Sequence, residues 1–324
     1  MNKKVTKREA KKEVESQVEE KEENLKTGVV TIVGRPNVGK STLMNKILGE
    51  KVAIVSNVPQ TTRNQIRGVY NDERGQIVFI DTPGLHLGHD KLDKFMNRAS
   101  IGSLQDVDVI IHLVDTTEHV GMEERNVVDQ LKGVKTPIIV GLNKVDIGKG
   151  KFIPDYISLW EEAKGKKINQ IKNLTLLPLS GMTGVHIDKL IDIVFENLEE
   201  GPLFYPRDTV CDYPRKMVIS DTIREKFFQI MRDEVPHSIA VVIEETKPRK
   251  GKTLYIRAVV LVERDSQKEI VIGKSGAVLK KIGMEARKEL EELLEQKVFL
   301  ELFVKAQTKW REDHSVLEQM GYVF

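Results

Sequence analysis

Gly34-Arg35-Pro36-Asn37-Val38-Gly39-Lys40-Ser41 fits the phosphate-loop pattern G-x-x-x-x-G-K-[ST] at every fixed position. The chemistry open to such a run is the cradling of a polyphosphate. Its glycines let successive backbone N–H groups converge on phosphate oxygens, and a helix starting just after it adds a positive end. Lys40 is expected to reach the outer phosphates and the Ser41 hydroxyl to ligate Mg²⁺. Gly34, Asn37, Val38, Gly39 and Thr42 complete the expected cradle.

Asn143-Lys144-Val145-Asp146 bears on the base. A carboxylate at a strand end can accept hydrogen bonds from guanine N1–H and from the 2-amino group. Adenine lacks both donors, so ATP would leave Asp146 unpaired at a cost of about 1–3 kcal/mol. Asn143 is expected to tie this loop to the phosphate loop, and the Lys144 stem to cover the base. Leu179-Ser180-Gly181-Met182 is placed to set a backbone N–H on guanine O6, with Ser180 and Gly181 at the base. The usual pattern there is Ser-Ala-x, and Gly181 replaces the alanine. GTP and GDP are the expected ligands.

Two further segments concern the γ-phosphate. In Asp81-Thr82-Pro83-Gly84, Asp81 can hold Mg²⁺ through a water and the Gly84 N–H can sense the phosphate. In Pro59-Gln60-Thr61-Thr62-Arg63, Thr62 is expected to close onto Mg²⁺ only when the γ-phosphate is present. Lys40, Thr62 and Gly84 are thus the expected catalytic groups; Ser41, Thr62 and Asp81 are the expected metal ligands. Many small GTPases place a water-orienting Gln just after the Gly of D-x-x-G. Leu85 stands there and cannot hydrogen-bond water, so intrinsic hydrolysis is expected to be slow.

These groups need strands to carry them. Val29–Val33, Gln76–Ile80, Asp108–Val114, Pro137–Leu142 and Leu174–Pro178 are apolar runs of strand length, with helical patterns between them. The alternation over 27–200 implies an α/β fold: a mostly parallel sheet with helices on both faces. Each nucleotide motif follows a strand, at the edge where such sheets bind ligands.

At 324 residues the chain can form two domains with real cores, and its net charge of +2 argues neither for nor against a nucleic-acid partner. Cys211 is the one cysteine, which excludes a disulfide framework and fits a reducing compartment. No apolar run approaches the length of a membrane span, and the N-terminus has no apolar signal region. Residues 1–26 mix Lys and Glu with almost no large apolar residues, a composition of disorder or of a solvated helix. Residues 201–206 read as a linker, and 207–324 as a second, smaller α+β domain.

In that second part Ile270-Val271-Ile272 reads as a strand entering Gly273-Lys274-Ser275-Gly276, followed by a helix from Ala277. G-x-x-G before a helix has the form of the clamp of KH domains, where glycines admit an RNA backbone and the helix N-terminus faces a phosphate. Lys274, Lys280 and Lys281 add charge beside Gly273, Ser275 and Gly276, and Lys247-Pro248-Arg249-Lys250-Gly251-Lys252 adds a basic hairpin.

With these residues in place, the chain resembles the bacterial Era GTPases over about 27–324. The carrying segments are GRPNVGKST at 34–42, PQTTR at 59–63, DTPG at 81–84 and NKVD at 143–146. In the second part they are DEVPHS at 233–238, IGKSG at 272–276, VFLELFVK at 298–305, KWRED at 309–313 and LEQMGY at 317–322. The resemblance implies a GTPase domain followed by a KH domain of the second topological type. It implies binding of the 3′ end of small-subunit ribosomal RNA and help in small-subunit maturation, by a monomer. It also implies a cytoplasmic protein, partly attached to the inner face of the cell membrane as a peripheral protein, and a K⁺ ion held with the help of Asn37. The extension before residue 27 departs from the family pattern. A second reading makes the chain a GTPase regulating tRNA modification or membrane-linked signalling, its C-terminal domain a protein-interaction module.

Overall fold

The computed structural model describes residues 25–55, 63–83, 91–104, 106–231, 238–249 and 251–321. The charged extension through Asn24, and the positions of Thr62, Gly84 and Leu85, lie outside them.

Strands β1 (Lys26–Val33), β2 (Ile66–Asp72), β3 (Gly75–Asp81), β4 (Val109–Asp115), β5 (Ile138–Asn143) and β6 (Leu174–Pro178) form one sheet in the order β2-β3-β1-β4-β5-β6. The two-residue β7 (Glu199–Glu200) pairs with the start of β1. β2 runs antiparallel to β3, and the five from β3 to β6 are parallel.

The unbroken apolar character of β4 follows from burial on both faces. Val109, Ile111 and Leu113 pack with helices α1 (Lys40–Leu48) and α5 (Ile187–Glu196). Ile110 and Val114 point the other way, into a core shared with α3 (Met122–Leu131) and α4 (Ile153–Lys164). Because the parallel strands share a direction, the phosphate loop, Asp81, Asp115, Asn143 and Ser180 all leave the sheet along one edge. Helix α2 (Lys91–Gly102) follows the DTPG segment.

The connector after β7 is strapped to the sheet. Gln76, fully buried, accepts the N–H groups of Phe204 (2.8 Å) and Tyr205 (2.9 Å) and donates to the Tyr205 carbonyl (2.8 Å). Further on, the Val69 N–H donates to Val210 O at 2.8 Å, and Gly68 bridges to Cys211.

The second unit comprises α6 (Arg215–Ile230), β8 (Ala240–Arg249), β9 (Thr253–Val262), α7 (Asp265–Ile272), α8 (Ala277–Leu293), β10 (Val298–Ala306) and α9 (His314–Gln319). Its sheet runs β10-β9-β8, parallel between β10 and β9 and antiparallel between β9 and β8. Ile219, Ile223 and Phe227 of α6, Val271 of α7, and Ile282, Ala286 and Leu290 of α8 bury one sheet face against Ile256, Ala258 and Val260.

One expectation fails here. Ile270-Val271-Ile272 is the last turn of α7 and not a strand. β9 is already flanked by β8 and β10, so it has no open edge for another strand. The Gln267 side chain accepts the N–H groups of Glu263 (2.9 Å) and Arg264 (3.0 Å), which starts a helix. Of the three β-branched residues only Val271 is buried; Ile270 is 54% exposed.

Candidate nucleotide site and RNA clamp

The phosphate loop keeps its shape through two close backbone approaches. A Cβ on Gly34 would lie 2.3 Å from the Leu113 carbonyl oxygen of β4. A Cβ on Gly39, where φ is 102°, would lie 2.7 Å from Asn143 Nδ2. Neither position admits a side chain. Asn37 sits at φ 64°, a left-handed conformation that Asn tolerates better than most residues.

Lys40 is buried and its ammonium donates to the carbonyls of Gly34 (3.0 Å) and Arg35 (2.9 Å). Burial pushes its pKa down to about 8, against the pull of Asp81. The Ser41 hydroxyl donates to Asp81 Oδ2 at 2.6 Å. Two oxygen donors of the expected metal site therefore meet, one from the first turn of α1 and one from the end of β3, and oxygen is the donor Mg²⁺ takes. Thr42 follows, half-buried, along α1.

Asn143 joins three loops with one side chain. Its Nδ2 donates to Val38 O at 2.7 Å, and its Oδ1 accepts the Gly181 N–H at 2.9 Å. The expectation of a tie to the phosphate loop thus matches the geometry. Lys144, at φ 64°, reaches back to Asn37 O (3.0 Å) and to Asp115 Oδ2 (2.5 Å), laying its stem across the space between the two loops. Burial works to raise the Asp115 pKa, but hydrogen bonds from Lys144 and Thr117 outweigh it and hold the carboxyl below its usual range. Asp146 is exposed and makes no hydrogen bond or ion pair among the described residues, which leaves its carboxylate open to a base.

Ser180 is buried, and its hydroxyl accepts the Thr183 N–H at 3.0 Å. A Cβ on Gly181 would come within 3.2 Å of Leu43 Cα and 3.3 Å of its nitrogen, so α1 passes close to this glycine. The Gly181 N–H is turned toward Asn143, so a guanine O6 would have to share it.

Some neighbours were not singled out from the sequence. Arg35 pairs with the buried Glu124 of α3 and with Glu118 (2.5 Å), bracing the loop against β4's exit. Asp115-Thr116-Thr117, polar residues at a strand end, was the available signal. Arg63, directly after Thr62, is buried between the domains; its Nη1 donates to Ile239 O at 3.0 Å and its guanidinium lies 5.7 Å from the Trp310 ring centre. Leu92 and Met96 of α2 pack with Ala240, Leu261, Trp310 and Leu317. Lys51 bridges Glu225 and Glu289 of the second domain. Segments flanking both γ-phosphate motifs therefore rest on the C-terminal domain.

The clamp residues lie on a helix–turn–helix. Gly273 (φ 72°), Ser275 (φ 51°) and Gly276 (φ 77°) all have positive φ. A Cβ on Gly273 would strike Val278 Cγ2 at 2.4 Å, whereas one on Gly276 would meet nothing within 4 Å. Gly273 is needed for packing and Gly276 for its conformation, beside open space. Lys274, Lys280 and Lys281 are exposed and unpaired among the described residues.

Comparisons with known proteins fit this geometry. A family model described as a 50S ribosome-binding GTPase matches residues 29–144, and a KH domain model matches 234–311. GTPase Era of Halothermothrix orenii is 44% identical over 297 residues, 92% of this chain and 98% of the relative. That of Geobacter metallireducens is 43% identical over 298 residues, with the same coverage.

The chain belongs to the Era family.

Era in a crystal structure with MgGDPNP and nucleotides 1506–1542 of 16S ribosomal RNA superposes at TM-score 0.86. It is 37% identical, and the match covers 93% of this chain and all of that one. A variant of Aquifex aeolicus Era bound to GDP and aluminium fluoride gives TM-score 0.84 at the same identity and coverage.

Proposed function

We propose that this chain is a GTP-binding and GTP-hydrolysing switch that grips the 3′ end of 16S ribosomal RNA through its KH domain and assists small-subunit maturation. One observation carries the reading: two phosphate cradles stand on one chain, and the segments flanking the γ-phosphate motifs of the first rest on the domain that holds the second.

Gly34, Asn37, Val38, Gly39, Lys40, Ser41 and Thr42 wrap the phosphates. Asn143, Lys144, Asp146, Ser180 and Gly181 hold guanine. Ser41 and Asp81, with Thr62, hold Mg²⁺, which when bound offsets charge on the phosphate oxygens. Lys40, with Gly84, stabilises charge on the transferring phosphate. Asn37 helps to hold K⁺ beside it. Gly273, Lys274, Ser275, Gly276, Lys280 and Lys281 receive the RNA backbone. The domains divide at about 27–200 and 207–324, with 201–206 between them, the first strand reaching back one residue further to Lys26. No helix among the described residues is long and apolar enough to cross a membrane. The place of action is the cytoplasm, with peripheral attachment to the inner face of the cell membrane, and the working form is a monomer.

The test pairs two titrations on the full chain. GTP is expected to displace a labelled guanine nucleotide where ATP does not. An RNA oligonucleotide of the 16S 3′ end is expected to bind wild type and to bind Gly276→Asp, where a side chain meets no neighbour, far more weakly. Displacement by ATP, or equal RNA affinity of both proteins, contradicts the reading.

A further inference from the structure

The KH sheet has a second face, and only half of it is used. Toward one end Ala240, Val242, Val259 and Leu261 are covered by Leu92 and Met96 of the GTPase domain and by Trp310 and Leu317. On β10, the edge strand, Phe299 beside Tyr255 and Phe303 beside Val259 stand 44% exposed. They share a face, four residues apart, which sets them ~13 Å from each other along the strand.

Around these rings the residues alternate between aromatic and cationic. Tyr255 and Phe299 stack with centroids 6.0 Å apart and planes 21° from parallel. The Arg249 guanidinium lies over both, 4.1 Å from Tyr255 and 4.5 Å from Phe299. Arg257 lies 4.7 Å over Phe303, and Lys247 5.1 Å from Tyr255. The carboxylates of the face are already engaged. Glu245 pairs with Lys247 (2.8 Å), Glu244 with Arg257 (3.2 Å), and Glu301 accepts the Tyr255 hydroxyl (2.6 Å). Arg249 has no carboxylate partner among the described residues; its contacts are the two rings. Lys305, exposed on the same strand face, is likewise unpaired among them.

We propose that this half-face is a second binding site for unpaired RNA. Bases stack on Phe299 and Phe303 and on the guanidinium planes, and phosphates pair with Arg249 and Lys305. Flat rings interleaved with arginine suit any base, since every base has a π-face. Lys247, Arg249, Arg257 and Lys305 outnumber Glu244, Glu245 and Glu301 by one positive charge, an excess that suits a polyanion better than a basic protein surface. The clamp lies with the helices on the opposite sheet face, and a strand of RNA passing over the β10 edge joins the two. The proposal rests on RNA binding at Gly273–Gly276.

The test uses the full chain and two RNAs labelled at one end. One is of about four nucleotides, enough for the clamp alone; the other is an unstructured strand of about twenty. Phe299→Leu with Phe303→Leu keeps apolar bulk but removes the rings. It is expected to weaken the long RNA about tenfold and leave the short one within about twofold. GTP turnover is expected to stay at the wild-type rate. Ultraviolet crosslinks from the long RNA should fall on the Phe299–Phe303 peptide. Unchanged affinity for both lengths, as for a face that docks protein or only shields an edge strand, overturns the proposal. So does equal weakening of both, which would place the effect in the clamp. If wild type binds neither RNA, the clamp reading has failed and the second site goes with it. The Gly276→Asp protein, whose side chain meets no neighbour, separates the two sites: it is expected to lose the short RNA and keep part of its affinity for the long one.

Discussion

Replacing Asn143 with alanine should damage the nucleotide site more than any other change of comparable size. The residue is 3% exposed. Its removal strands the Val38 carbonyl, bonded at 2.7 Å, and the Gly181 N–H, bonded at 2.9 Å, both in buried surroundings. Each unsatisfied group costs about 1–3 kcal/mol, so the pair costs about 2–6 kcal/mol before relaxation. That free energy can surface in two places. If the loops hold, the variant unfolds more easily. If they loosen, GTP must reorder them on binding, and each ~1.4 kcal/mol shifted there weakens Kd tenfold. Thermal unfolding of the free protein and titration with a fluorescent GTP analogue measure the two shares, and amide exchange at Gly181 reports the lost bond directly. Losses in both stability and affinity of under about 0.5 kcal/mol, with Gly181 still protected, would refute the three-loop account.

Other outcomes follow from the same geometry. In the free protein burial holds Lys40 at a pKa of about 8, and bound phosphate must raise it. The Lys40 contribution to GTP affinity is therefore close to complete by about pH 7 and is lost as pH rises through 8. Titrations should show affinity falling several-fold between about pH 7.5 and 9, and a flat profile refutes the role of the ammonium. Asp146→Asn should trade GTP for XTP, because xanthine presents an acceptor where guanine presents its amine; competition binding decides, and GTP affinity left intact without gain for XTP removes Asp146 from the base. Turnover should be faster in KCl than in NaCl at equal ionic strength, with Asn37→Ala erasing most of the difference. Equal rates in the two salts would leave Asn37 as a brace of the loop.

The site was legible where its chemistry is carried by contiguous runs. Gly34–Ser41, Asp81 and Asn143–Asp146 are each a strand end plus a few residues, so local sequence contains both the group and the element that aims it. Arg35 with Glu124, and Arg63 with Ile239 and Trp310, join residues far apart in the chain, and no local pattern encodes such a pairing. The α7 helix was misread for a different reason. Three β-branched residues outweighed the Gln267 cap, although sheet neighbours, not propensity, decide whether a strand has anywhere to go. In the second domain the glycines of the proposed clamp were visible. Their distinct reasons, Val278 packing for one and open space for the other, needed coordinates.

The central claim, a GTP switch that grips the 3′ end of small-subunit ribosomal RNA, is met most directly by sequencing the RNA crosslinked to this chain in cells. Wild type is predicted to yield reads piled on the last nucleotides of 16S RNA, and Gly276→Asp to lose most of that peak at equal protein level. Reads dominated by tRNA, or a 3′-end peak undiminished in Gly276→Asp, would contradict it.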